Sequence, residues 1–493
     1  MLRTKTIDII NTFSAEEFKA MSAFIKSPYF NSNKNLVKLY EALRKSFPLI
    51  KEDKISEEDI FRKIFPGKKY NYGIMKNLTS ALFGLLEEFL LFNNIKNSHE
   101  NKFGNPLRVA REYDARLLDG YFKKTIKKLK EEMDSSLIHA EYYRNMTELE
   151  EQEYFFHSSR TDDLSLQDAV YNEAIYSIAD FFRKISRSLW KVQIIEGNVN
   201  SKYDIDLKKI IAGNIDFEKI TENLKSIDEK IYTNIKLNTL LIKLLTDGLN
   251  MDHYNNIKKL LFEKIDLYDN YERLSIFTKV ISYCAVMFEE GRAEFLPESL
   301  VIQKLMLLKV RFRESGLGPY NFHNFIELAH KFIHEDQVEE AENLVKGYIG
   351  WLEDDKQQLA HDLIKALICI ELGRNDEAIE HIKKIKPHDT FVKMLVRKIY
   401  IEAYYELGSF EQGFDMIASF KTFVREKNDL DAYTKNTHLN SLKIFEKLFK
   451  IKCSPEKYNV DDVNRLEKEI MENNYVNKKW QLRKTRELKN VIK

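Results

Sequence analysis

Glu371-Leu372-Gly373-Arg374-Asn375-Asp376-Glu377-Ala378 and Glu406-Leu407-Gly408-Ser409-Phe410-Glu411-Gln412-Gly413 are two versions of one junction, and they decide the fold class. In each, an apolar-periodic helix runs into Leu-Gly, where glycine supplies the left-handed residue that closes a helix without Cβ strain. A second helix then begins almost at once. Asn375 and Ser409 are N-cap residue types, and Ser409 with Gln412 three positions on has the spacing of a capping box. Ala378 and Gly413 follow their turn glycines by five residues, where a small side chain permits close helix approach. Ala341 stands at the same offset from Asp336, so small residues recur at 341, 378 and 413.

This pattern resembles the tetratricopeptide repeat (TPR), a helix-turn-helix unit of about 34 residues with small residues at its helix crossings. The resemblance covers residues 322–424, about a fifth of the chain. Helix A lacks the usual early aromatic and Leu-Gly signals, Pro387 alone stands as a closing proline, and the period drifts. The fold class it implies is all-α: a right-handed α-solenoid of antiparallel helix hairpins with an N-terminal helical domain.

Composition supports helices independently. Sixteen glycines and eight prolines in 493 residues, with no proline between Pro106 and Pro297, are too few for the turns a β-rich chain needs. At 44% hydrophobic and 31% charged the chain can bury a core and is not of disordered composition. A formal charge of +1 gives no global field toward nucleic acid or membrane. Cys284, Cys369 and Cys453 lie far apart in apolar helical contexts and read as core fillers of a reduced compartment. The N-terminus has no signal-peptide core, and apolar windows such as Leu240 to Leu245 and Leu363 to Ile370 are far shorter than a membrane span. The expectation is a soluble, cytoplasmic protein.

Along the chain, Ser14 with Glu17 forms a capping box for a helix to about Ile25, and a compact loop of Ser27 to Asn33 follows. Its Tyr29 and Phe30 could anchor a partner, and are read instead as tucking back onto neighbouring helices. Helices at about 34–47, from Ser56 to Pro66-Gly67 and at 71–96 complete an N-terminal domain of residues 1–96. The polar stretch Lys96 to Pro106 reads as a boundary. From 107 to 315 come long helices of degenerate repeats, among them a stripe of Val170, Ile178, Phe182, Ile185, Leu189 and Val192. TPR-like repeats then occupy 316–427 and capping helices 428–493, with Ser454-Pro455 as an N-cap and N1 pair.

Enzyme chemistry finds little support. Gly67-Lys68-Lys69 lacks the rest of a P-loop, Gly316-Leu317-Gly318-Pro319 lacks a third glycine, and no Gly-x-Ser-x-Gly, Cys-x-x-Cys or His-Glu-x-x-His occurs. Glu327, His330 and His334 share a helix face as half of a di-iron carboxylate pattern, but the second half is missing. No metal or cofactor is expected. An enzyme with an unrecognised site stays open as an alternative.

The resemblance gives the histidines another use. Taking Ala341 as the small residue of helix B, the TPR register puts His323, His330 and His334 on the helix A face that lines the groove in that family. It adds Glu371 from the next unit and Lys398, Glu402, Tyr405 and Glu406 from the third. The implied function is a non-catalytic scaffold or adaptor that binds a segment of a protein partner, with affinity pH-sensitive between about pH 6 and 7 through the histidines. The chaperone-binding carboxylate clamp is not reproduced, since Ile326 and Leu367 stand where polar residues belong. The competing reading is a nucleic-acid-associated regulator. Lys478, Lys479, Arg483, Lys484, Arg486, Lys489 and Lys493 are opposed locally only by Glu487, and Trp480 among them suits base stacking. Cations closing a last helix and a tryptophan docking a cap account for the same residues. A second basic run, Lys123 to Lys130, is offset by Glu131 and Glu132 at helical spacing.

Overall fold

The computed structural model describes residues 4–44, 56–97, 101–160, 162–198, 205–246, 248, 250–314, 316–387, 389–473 and 476–492. Among them the chain is all-α, with 24 α-helices, no strand, and a single isolated bridge between Ile138 and Tyr268. It divides into two compact units, Met1–Ser136 with Arg144–Ala174, and Leu137–Tyr143 with Ile175–Lys493.

The first unit opens with α1 (Thr4–Asn11), α2 (Ala15–Lys26), α3 (Lys34–Arg44), α4 (Glu57–Ile64) and α5 (Tyr72–Asn97). The capping box at Ser14 is made in full: Glu17 N donates to Ser14 Oγ and Ser14 N to Glu17 Oε2. The C-terminal end of the helix expected at 34–47 lies outside the described residues. α5 is, by length and composition, the one described helix apolar enough to cross a membrane, and it exceeds every window singled out above. Its Met75, Leu78, Leu82, Leu85, Leu86 and Phe89 nevertheless lie in the core that α1 to α4 complete. Phe30 tucks back as expected, stacked on Phe24 with ring centroids 4.1 Å apart, whereas Tyr29 is 89% exposed.

α6 (Asn101–Ala115), α7 (Asp119–Ser135), α8 (Tyr142–Ser158) and α9 (Asp163–Asn198) follow. Asn101 to Pro106, expected in a linker, belong to α6 with Pro106 inside the helix. Local polarity misleads there because Leu107 and Ala110 bury one face against Phe122, Ile126 and Phe156. Lys127 and Lys128 pair with Glu131 and Glu132 on α7 as read from the spacing. The division between units falls inside α9. Of the expected α9 stripe, Phe182 and Leu189 are core while Val170 is exposed.

The second unit continues with α10 (Leu207–Asn214), α11 (Phe217–Asn223), α12 (Glu229–Thr246), α13 (Met251–Lys264), α14 (Asn270–Glu289) and α15 (Phe295–Lys309). Next come α16 (Phe322–His334), α17 (Val338–Tyr348), α18 (Asp354–Glu371), α19 (Asn375–Lys383), α20 (Thr390–Leu407) and α21 (Phe410–Glu426). The chain closes with α22 (Ala432–Cys453), α23 (Val460–Glu472) and α24 (Lys478–Lys489). Neighbours in sequence pack as pairs, α16 on α17, α18 on α19 and α20 on α21, and α18 also lies between α16 and α20.

The junction residues behave in part as expected. Gly373 and Gly408 have φ of 72° and 69°, the left-handed conformation for which glycine was read. Ala341, Ala378 and Gly413 are buried. Gly413 faces the ring of Phe449 on α22 so closely that a Cβ would collide with it, so the close approach is to the following helix. The caps differ. Arg374 takes the N-cap place and Asn375 is already helical, its Nδ2 donating to Gly373 O at 3.2 Å. Ser409 makes no side-chain capping bond, so Ser409 and Gln412 form no box. Ser454 likewise caps with no side-chain bond, although Pro455 is at the first helical position of a short 3₁₀ turn. Cys284 and Cys369 are buried, but Cys453 is exposed at the end of α22.

Candidate functional site

Of the eight residues expected along a groove, His330, His334, Glu371, Lys398 and Glu402 come together between α16, α18 and α20, beneath a cover. That cover is α24. Asn477, in left-handed conformation just before α24, donates from Nδ2 to Glu402. Lys479 donates to His334 O and pairs with Asp336 Oδ2 at 3.0 Å. Arg483 grips Glu371 with both terminal nitrogens, at 2.6 and 3.3 Å, a two-pronged geometry stronger than a single contact. Lys484 reaches Glu406 Oε1 at 2.7 Å and Glu487 at 2.9 Å.

An apolar anchor accompanies these contacts. Trp480 is 5% exposed, its ring 5.2 Å from Tyr405 and 5.3 Å from Phe445. Gln481 is fully buried, its Nε2 donating to Ser441 Oγ at 2.8 Å, and Ser441 in turn donates to Val476 O at 2.6 Å. α24 thus seats a tryptophan in the core that α20, α21 and α22 share, and sends its long cations over the rim to carboxylates two and three hairpins earlier in the chain. Only about 40 Å³ remains open between α24 and the face.

The remaining expected residues are placed as follows. His323 is exposed, Nε2 3.4 Å from Asp389, and it takes no part in the α24 contact. His334 holds Glu335 through Nδ1 at 2.9 Å. Lys398 and Glu402 are buried, not groove-lining; Lys398 donates to His330 Nε2 at 3.0 Å and stands 3.7 Å from Glu402 Oε1. The charge on Lys398, with burial second, drives His330 well below the usual histidine range, which removes it from the expected pH 6–7 window. Burial pushes the Glu402 carboxyl up. Tyr405 is 2% exposed, with Lys452 above its ring. Lys478 donates to the carbonyls of Met471 and Asn473, while Arg486 and Lys489 both pair with Glu467, whose carboxyl is held low by those two hydrogen bonds. The local excess of positive charge read from the sequence is therefore matched by Glu467 on the preceding helix and by Asp336, Glu371 and Glu406, which are remote in sequence. Trp480 offers no free face for a base. Lys493 lies outside the described residues.

Sequence reasoning missed a second cluster. Asp180, Arg183 and Ser186 of α9, Asn234 and Asn238 of α12, and Glu272 and Lys279 of α14 are all buried. Arg183 bridges Glu272 and Asp180, each at 3.2 Å. Lys279 donates to Ser186 Oγ at 3.2 Å, and Ser186 to Asn238 Oδ1 at 2.6 Å. Burial pulls the Lys279 amine down to about 8. The one signal available was polar residues at 180, 183, 186 and 234, 238 interrupting apolar stripes at helical spacing. A buried amine of this kind is what an enzyme would use, but these residues are 7% exposed or less and bond mostly one another, with Asp180 alone reaching out to the exposed Lys184. No group of three or more His, Cys, Asp or Glu side chains able to hold a metal occurs among the described residues.

Comparison of the chain with protein families, with curated proteins and with solved structures finds no match.

Proposed function

We propose that this protein is a non-catalytic scaffold: a divergent, TPR-like, right-handed α-solenoid whose helix A face binds an α-helical segment of a protein partner, and whose own C-terminal helix holds that face in its absence. The observation that carries the reading is α24 itself, a helix that docks on this face through one aromatic anchor and cations spaced four residues apart, Lys479 and Arg483. Helix-in-groove recognition reads anchors at such spacing. The partner segment would be a basic amphipathic helix with an aromatic residue next to its first cation. The nucleic-acid reading draws less support, because the cations it needs are already on carboxylates.

The test is exchange in trans. A labelled peptide spanning residues 477–490 is titrated into the full chain and into a variant with Lys479→Glu and Arg483→Glu, which repel α24 from Asp336 and Glu371. The variant is expected to bind the peptide and the parent to bind it at least about tenfold more weakly. Equal failure of both, with α24 still protected from amide exchange in the variant, would remove the idea of a displaceable helix.

A further inference from the structure

Adjoining the α24 seat, and sharing His330 and Lys398 with it, lies a cavity of about 190 Å³ between α16, α20, α21 and α22, with Val476 at its edge. An apolar cavity of about 150 Å³ takes up a benzene ring, so this one holds a ring with a short substituent. Its walls are mostly apolar, from Ile326, Met394, Leu395, Phe420 and Leu442, with His330, His438 and Ser441 among them, and one end carries an ammonium group. Lys398 is 9% exposed and lines the cavity, where an unfilled N–H is costly. Of its three donor positions one is used on His330 Nε2 at 3.0 Å. The nearest carboxylate oxygen, Glu402 Oε1, is at 3.7 Å, beyond good hydrogen-bond distance, and that carboxylate also accepts from Asn477. Glu327, on the same wall, is paired with Lys331 at 2.7 Å.

We propose that this cavity is a binding site for a small apolar molecule bearing one hydrogen-bond-accepting head, a carboxylate or a carbonyl, with the head on Lys398 Nζ and the body against Met394, Phe420 and Leu442. Body and head are separately required. The apolar walls select a ring or short chain by area removed from water, and the buried ammonium selects an acceptor over a donor because an ammonium head would meet Lys398 with like charge.

The experiment is calorimetric titration of the full chain with 3-phenylpropanoate, 3-phenylpropanamide and 3-phenylpropylammonium. Saturable binding of the carboxylate or the amide is expected, at least about tenfold tighter than the ammonium; which of the two binds better identifies the head. Leu395→Trp, at a partly exposed wall position, fills the space and is expected to abolish binding with an unchanged circular dichroism spectrum. Should that variant misfold, Lys398→Met combined with Glu402→Gln removes the pair without stranding a charge and is expected to erase the preference between heads. Absence of binding by all three probes, or equal binding of all three, overturns the proposal. The titration uses the full chain with α24 in its seat, so its failure is distinguishable from a failure of peptide exchange, which is read in the variant that releases α24.

Discussion

The polar cluster around Lys279 and the polar cluster under α24 both place charge between helices, yet they are built in opposite ways. Around Lys279 the groups come from α9, α12 and α14, the side chains are nearly inaccessible, and each partner is short or held by a neighbour. Under α24 the outer pairs are open to water, Arg483 with 39% of its side chain exposed and Asp336 with 74%, while Lys484 and Glu406 lie deeper at 10% and 20%. Buried charge that loses a partner is expensive, whereas a screened rim pair contributes little and can be exchanged. The first cluster therefore specifies packing; the second is suited to a contact that is made and released.

Four measurements sharpen or break that contrast. The largest effect is expected at the apolar anchor, because Trp480→Ala empties a site between Tyr405 and Phe445 and should cost about 4 kcal/mol. Denaturant midpoints read the loss, and amide exchange should show α24 opening; an α24 that stays protected would mean its polar contacts suffice. Next, Glu272→Ala leaves Arg183 with Asp180 alone and should cost about 3 kcal/mol. A loss below about 1 kcal/mol would show that water reaches the cluster, and the contrast with α24 would vanish.

The third is a pH dependence. Lys279 releases its proton at about 8 in the folded chain against an ordinary 10.5. Between those values the unfolded chain binds more protons, so stability rises with pH, by about 2 kcal/mol from pH 7 to 9.5. That is the contribution of Lys279 alone: Cys284, whose thiol burial pushes up to about 12, opposes it from about pH 9, and Tyr254 and Tyr268, whose phenols burial pushes up, oppose it above pH 10. Lys279→Met should flatten the rise, and a slope unchanged in that variant would assign it elsewhere. The smallest effect is expected from Arg483 and Glu371, where a double-mutant cycle should return about 0.5–1 kcal/mol that shrinks with added salt. A salt-insensitive coupling above about 2 kcal/mol would place this pair in the class of the Lys279 cluster.

How far these regions were legible differs for a physical reason. Leu-Gly junctions, small residues at 341, 378 and 413, and the capping box at Ser14 act within a few residues, and the helices stand where they were read. Caps at Asn375 and Ser409 failed because the turn geometry set by the preceding glycine brings the next helix in one residue early or points the hydroxyl away. That α24 covers residues read as a groove lining was not visible, since Lys479 and Asp336 are 143 positions apart.

What the sequence by itself determined is the helical class and the paired junctions, because helix caps, glycine conformation and apolar period are local properties of the chain. Only the tertiary structure decided which charges meet, that Trp480 is an anchor and not a stacking platform, and that Lys398 borders a cavity. Those depend on contacts across a hundred residues, where side-chain reach and burial, and not spacing, choose the partner.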